Sequence, residues 1–98
     1  MSGTIPEVDL PLAGIRVVEF GHMVMGPSCG LVLAELGAEV IKVEPAETGD
    51  NTRRLTGSGT GFFATYNRNK RSLAIDIKSE AGKAAVLRLI ETADIFAE

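Results

Sequence analysis

The sequence predicts an α/β fold, a Rossmann-like parallel sheet assembled from βα units. Three observations predict it. A β-branched run, Ile15 to Phe20, passes through a glycine-bounded loop into an apolar stretch of helical length. The segment "EVIKVE", Glu39 to Glu44, then alternates as a strand does. The same strand-then-helix rhythm recurs between Ser72 and Ala93. Strands joined by helices through tight turns close as parallel neighbours with right-handed crossovers.

Each element has its own signal. Residues 1 to 13 read as a polar lead-in with two prolines. Ile15 to Phe20 is a short strand rich in β-branched residues, and Gly21 to Gly26 is a loop. Pro27 suits a first helical turn, where no N–H is needed, and Gly37 suits a left-handed stop, so a helix is expected over Pro27 to Leu36. Leu31, Val32, Leu33, Ala34 and Leu36 make it apolar on nearly every side, which predicts burial between layers. In the second strand, Glu39 to Glu44, Val40 and Lys42 share one side and Ile41 and Val43 the other.

Pro45 to Gly61 is rich in Gly, Thr, Asn and Asp and predicts a long loop of a kind that is either functional or mobile. "FFATYNRNKRS" predicts one helical turn and a tight bend. Ser72 to Ile77 is a third strand with Leu73, Ile75 and Ile77 on one face. Ser79 is an N-cap for a helix from Glu80 to Ala93, in which Val86, Leu89, Ile90 and Ala93 recur at helical spacing. A fourth strand opens at Ile95. A sheet that starts a strand there lacks its next crossover at Glu98, so residues 1–98 are expected to be the N-terminal part of a longer polypeptide.

Composition narrows the function. Ninety-eight residues allow one domain, and 45 % apolar with 23 % charged residues is ordinary for a globular chain. A net charge of -3 argues against a nucleic-acid surface, which needs a dense basic patch to release counterions. A single cysteine, Cys29, cannot form an internal disulfide; in its apolar run it fits a buried free thiol, and a cytoplasmic location is expected. The N-terminus lacks the basic start and apolar core of a signal peptide. No apolar run approaches the roughly 20 residues of a membrane span.

The loop after the first strand fails both common phosphate-loop patterns. A nucleotide P-loop places a lysine between its last glycine and its Ser or Thr; here Gly21, Gly26 and Ser28 fall in register but Pro27 stands at the lysine position. A dinucleotide fingerprint needs a glycine at position 23, which is Met. His22, the only histidine, follows the carboxyl end of the first strand, where ligands bind in open parallel sheets. It serves either a ligand or a structural hydrogen bond to backbone, and no second group completes a triad or a metal site. Gly26 and Pro27 at a helix start leave backbone N–H groups for an anion or for ordinary capping. Glu44 closes the second strand, where an acid contacts ribose or is simply solvated. Arg53 and Arg54 are available to a phosphate or to water. "NRNKRS", with Arg68, Lys70 and Arg71, reads as an anion site facing a cleft or as a solvated turn, and Lys78 can reach the same side of the sheet.

Taken together, "PLAGIRVVEFGHMVMGP", "LAELGAEVIKVEPAETGDNTR" and "YNRNKRSLAIDIKSEAGKAAVLRLIETADIFAE" resemble the N-terminal part of the class III coenzyme A transferases, over residues 11 to 98. This family includes formyl-CoA transferase, carnitine CoA-transferase and the α-methylacyl-CoA racemases. The resemblance implies a larger fold forming an interlocked homodimer, with coenzyme A bound on the Rossmann-like domain begun by residues 1–98. Coenzyme A or acyl-CoA enters as substrate instead of a tightly bound cofactor, and a carboxylic acid is the acceptor. The loop would lie along the pantetheine end, with Val24 and Met25 matching positions that touch the coenzyme and His22 matching the "H..GP" form of the transferase branch. Ile75, Asp76, Ile77 and Lys78 match a segment along the nucleotide portion, with Lys78 as phosphate partner and Lys70 and Arg71 as further candidate coenzyme contacts. Pro45 stands where formyl-CoA transferase has an arginine, and Val24 where it has a glutamine. The family's mechanism passes through an aspartyl intermediate, and the aspartate falls beyond Glu98; Asp50, Asp76 and Asp94 are not it. Residues 1–98 are thus expected to hold no catalytic residue and no metal. The racemase activity, and a non-catalytic nucleotide-binding or assembly module, are the alternatives.

Overall fold

The computed structural model describes residues 10–98, so most of the expected lead-in lies outside the described residues. The elements run β1 (Arg16–Glu19), α1 (Met25–Glu35), β2 (Glu39–Glu44), α2 (Phe62–Asn67), β3 (Arg71–Ala74), α3 (Glu80–Glu91) and β4 (Ile95–Ala97). Short 3-10 turns at Asn51–Arg54 and Gly57–Gly59 interrupt the long segment after β2. All strand pairs are parallel, in the order β3-β2-β1-β4. The sheet grows outward from β1 through β2 to β3, then returns to the other side of β1, a doubly wound order that fits the Rossmann-like parallel sheet the sequence predicts.

Alternation along the strands divides the core into two layers. Val17 and Val40 pack with Ala34 and Ala38, on the side covered by α1. Val18 and Val43 face the other way, against Val86 with Leu73, Ile75, Leu89 and Ile90, where α3 lies. The β1–β2 register sets Val17 opposite Val40 and Glu19 opposite Lys42. Among the described residues no helix is long and apolar enough to cross a membrane.

Several boundaries differ from the expected ones for physical reasons. Helix α1 starts two residues early, with Pro27 still in the first turn, and stops at the expected place: Gly37 is left-handed with φ of 106°, and a Cβ there would lie 2.6 Å from Leu10 Cβ. The expectation that α1 is buried on all sides is corrected. Its buried residues are Pro27, Gly30 and Ala34, a stripe of small side chains at helical spacing that brings the backbone close to the sheet. Met25 and Val32 point away and are 85 % and 58 % exposed. Cys29 is also exposed, not buried as expected.

Strand β3 ends at Ala74 instead of Ile77. Ile75 still donates its N–H to Glu44 O (2.9 Å), but Asp76 then accepts the Lys78 N–H on Oδ1 (2.9 Å) and turns the chain. This is the competition an Asp side chain offers to a ladder. Ser79 caps α3 as expected, its Oγ accepting from Gly82 N at 3.0 Å. The cap is tight, since a Cβ on Gly82 would fall 1.9 Å from Asp76 O.

Candidate functional site

The loop after β1 is held from three directions. Gly21 and Gly26 meet back to back, so a Cβ on Gly21 would lie 3.2 Å from Gly26 Cα, and one on Gly26 would lie 3.3 Å from Gly21 Cα. The two glycines permit this close backbone approach. From below, Lys42 Nζ donates to Gly21 O at 2.7 Å. From the 3-10 turn at Asn51–Arg54, Thr52 Oγ1 accepts the Met23 N–H at 2.9 Å. Between these anchors Met23 takes a left-handed φ of 68°, a conformation that costs a non-glycine residue about 1–2 kcal/mol.

Under the loop lies a buried charge network that the sequence reading missed. Glu19 is fully buried at the end of β1. Lys42, its partner in register, reaches Glu19 Oε2 at 3.2 Å and Asp50 Oδ2 at 2.9 Å. Lys70 reaches Glu19 Oε1 at 2.8 Å and Oε2 at 3.0 Å, and also donates to Pro27 O and Asn67 Oδ1 at 2.9 and 3.0 Å. Glu19 Oε1 and Asp50 Oδ2 meet their ammonium groups off the hydrogen-bonding direction, so their contacts are ionic. Two carboxylates therefore balance two ammoniums. Burial lowers the Lys70 pKa, and the Glu19 carboxylate opposes that shift. Asp50 is held below the usual carboxylate range: burial, the largest influence, works against the shift, and the Thr52 N–H, Lys42 and the Thr52 hydroxyl together exceed it. Gly30 lets α1 sit on this cluster, because a Cβ there would fall 1.9 Å from Glu19 Oε1.

At the carboxyl ends of β2 and β3 is a cleft of about 570 Å³. Its walls include Phe20, Val43 and Glu44 from the strand ends, the turn after β2, and Ile75 to Lys78 after β3. Phe20 also packs on Phe96 of β4, with ring centroids 5.3 Å apart. Glu44 is buried, not solvated, and every one of its acceptor positions is engaged. Arg53 binds it in a fork at 2.8 and 2.7 Å, Asp50 N donates at 2.8 Å, and Ser72 Oγ donates to Oε2. Arg53 is in turn stacked 4.0 Å over Phe63. Arg54 is tied to Thr48 O and Asn51 Oδ1. Neither arginine is free as the sequence suggested. Among the described residues no group of three or more His, Cys, Asp or Glu side chains could hold a metal ion.

The Arg53 fork, with help from Ser72 and the Asp50 N–H, pulls the Glu44 carboxyl from 4.5 to about 2 against the opposing effect of burial. A depressed folded-state pKa stabilises above the unfolded value and is lost as pH falls. The contribution is on the order of 2–3 kcal/mol after allowing for the partial exposure of Arg53. It is fully present above about pH 4.5 and disappears toward pH 2. Urea unfolding of the parent and of Glu44→Gln is expected to show a stability gap that closes across that window. A gap that stays constant between pH 5 and pH 2 contradicts this account.

The residues predicted from sequence divide into two groups. Ile75, Asp76, Ile77 and Lys78 all line the cleft, though from a turn and not from a strand. Lys78 has no ion-pair partner among the described residues. His22, Val24 and Met25 lie on the anchored loop; His22 and Met25 are exposed, and His22 has no hydrogen-bond partner among the described residues. Lys70 and Arg71, given as candidate coenzyme contacts, are not among the residues that line the cleft. The Lys70 donors are committed inside the network. Arg71 opens β3 at the amino edge of the sheet and pairs with Glu39 at 2.8 Å. The missed cluster had one readable sign: Glu19 and Lys42 continue runs of inward-facing valines on successive strands.

The chain is similar to known proteins in sequence and in fold. Residues 12–98 match the model of CoA-transferase family III. A succinate–glutarate CoA-transferase of Agrobacterium fabrum is 42 % identical over 96 % of this chain and 26 % of its own length. The probable fatty acyl-CoA transferase Rv3272 of Mycobacterium tuberculosis is 44 % identical over 90 % of the chain and 24 % of its own length. A formyl-CoA:oxalate CoA-transferase of Afipia carboxidovorans is 40 % identical over 89 % and 22 % respectively. A crystal structure of a mutant Rv3272 superimposes with a TM-score of 0.83 at 43 % identity, covering 91 % of this chain and 25 % of that one. The chain spans about a quarter of the length of the curated relatives it matches.

Proposed function

Because the chain belongs to CoA-transferase family III, we propose that the full-length protein moves coenzyme A between an acyl-CoA and a carboxylic acid, with the coenzyme lying across the carboxyl edge of this sheet. The observation that carries the reading is the juxtaposition of the cleft with the anchored loop, which Phe20 joins. Phe20, Ile75 and Ile77 offer apolar walls, and Lys78 is the one cation among the lining residues, suited to a phosphate. Glu44 does not repel that phosphate, because Arg53 neutralises it. His22, Val24 and Met25 meet the pantetheine and thioester end, where an apolar loop serves better than a lysine.

The chemistry belongs to an aspartate outside residues 1–98. Its carboxylate attacks the thioester carbonyl and expels the coenzyme A thiolate, forming a mixed anhydride. The thiolate then attacks the aspartyl carbonyl and releases the first acid, leaving an enzyme thioester. The acceptor carboxylate attacks that thioester, and the freed thiolate takes up the new acyl group, restoring the aspartate. A cytoplasmic, interlocked homodimer completes the proposal, supported by the family and by the single free cysteine.

The experiment is a transfer assay with the full-length protein, succinyl-CoA and a panel of acids including glutarate and oxalate. Coenzyme A should appear on an acceptor acid in step with succinate release. Epimerisation of a 2-methylacyl-CoA with no exchange between acids would replace this reading with the racemase.

A further inference from the structure

We infer that Thr52 is a positioning residue for the transfer reaction: its buried hydroxyl holds the His22–Met25 loop in the left-handed form in which it meets the thioester. The inference rests on the coenzyme placement proposed above. Three observations carry it. Thr52 is 1 % exposed and its Oγ1 accepts the Met23 N–H at 2.9 Å, bridging a sequence separation of 29 residues. Thr52 is itself fixed, since its N–H donates to Asp50 Oδ1 at 2.8 Å and Asp50 is held by Lys42 at 2.9 Å. The same Lys42 ammonium holds Gly21 O, so one buried cation grips the loop directly and, through Asp50, the residue that clamps it.

The left-handed turn at Met23 places no side chain in the hydrophobic core. No residue from Gly21 to Gly26 belongs to either core cluster, and Met23 and Met25 are exposed. A chain needing only to pass from β1 into α1 would relax to negative φ at this surface position. Left-handed geometry at a non-glycine residue persists only when surrounding contacts over-determine it, and such sites cluster where a ligand must be met in one conformation. The clamp also joins the two ends of the coenzyme site. Thr52 follows Asp50, whose N–H binds Glu44 in the cleft wall, so the cleft and the thioester loop share one rigid turn.

The test uses the full-length protein with succinyl-CoA and its best acceptor acid. Thr52→Val keeps the shape and removes the acceptor; kcat is expected to fall about 10- to 100-fold while KM for succinyl-CoA moves less than about threefold. Thr52→Ser keeps the hydroxyl and should recover most of that loss. Should Thr52→Val fail to fold, Met23→Pro gives the same information from the exposed side, because it removes the N–H and forbids positive φ. Its kcat should fall at least about tenfold when assayed well below its melting temperature, which a proline at a left-handed, hydrogen-bonded position lowers. Parent-like kcat in Thr52→Val or Met23→Pro, or equal damage in Thr52→Ser and Thr52→Val, overturns the assignment. A parent that neither binds free coenzyme A nor transfers it fails earlier, and overturns the functional reading itself.

Discussion

Gly30→Ala is expected to destabilise the protein severely, although alanine in place of glycine inside a helix ordinarily stabilises by about 1 kcal/mol. The sign reverses because of what the helix rests on. A Cβ at Gly30 would fall 1.9 Å from Glu19 Oε1 and 3.1 Å from Lys70 Cε. A carboxylate at the end of a flexible side chain could often swing aside. This one cannot: it is fully buried, and Lys70 and Lys42 hold both oxygens. Relief requires either moving α1 off the sheet or breaking a buried ion pair, a loss on the order of 3–5 kcal/mol. Val32→Ala, on the exposed face of the same helix, should shift the melting temperature little. Thermal unfolding of both variants is the measurement, and a Gly30→Ala protein as stable as the parent contradicts the packing described for Glu19.

Lys42→Met is expected to be nearly as damaging, by about 3–5 kcal/mol, for an electrostatic reason. The substitution preserves most of the apolar stem but removes the cation from between Glu19 and Asp50 and the donor from Gly21 O. Asp50 is then a buried carboxylate with no counter-charge. Adding Asp50→Asn removes the orphaned charge, so the double variant should be less destabilised than the sum of the singles, with a coupling on the order of 1–3 kcal/mol. Denaturant unfolding of the cycle measures it. Strict additivity would mean that the network is not coupled as its geometry indicates.

The secondary structure was legible because its signals are local. Alternation marked β2, Ser79 and helical spacing marked α3, and Gly37 marked the end of α1. The parallel pairing followed, since strands joined through crossover helices close as parallel neighbours. Half of the candidate site was legible in the same way: the cleft is lined by the predicted residues 75 to 78. The charge network was not legible, because a charged residue is read as exposed until its partner is known. Glu19 and Lys42 become a pair only through register, and Lys70 joins them across 51 positions. "NRNKRS" shows the same limit. Its letters suggested one function, whereas the fold divides them: Asn67 and Lys70 turn inward, Asn69 donates to Ala34 O, and Arg68 and Arg71 pair with Glu35 and Glu39. The shortened β3 has a local cause, the Asp76 turn, which a strand-forming pattern of isoleucines concealed.

Coenzyme A is proposed to lie across the cleft with its phosphates at Lys78. Calorimetric titration of free coenzyme A into the full-length protein, parent and Lys78→Ala, tests it most directly. Lys78 is exposed and lies in a turn, so its removal should leave folding intact while weakening binding by about 1–3 kcal/mol, the range for a lost charge-assisted hydrogen bond. The parent's affinity should fall with added salt more steeply than the variant's, because the lost contact is the ionic one. Equal affinity and equal salt dependence in the two proteins would contradict the placement of the coenzyme in this cleft.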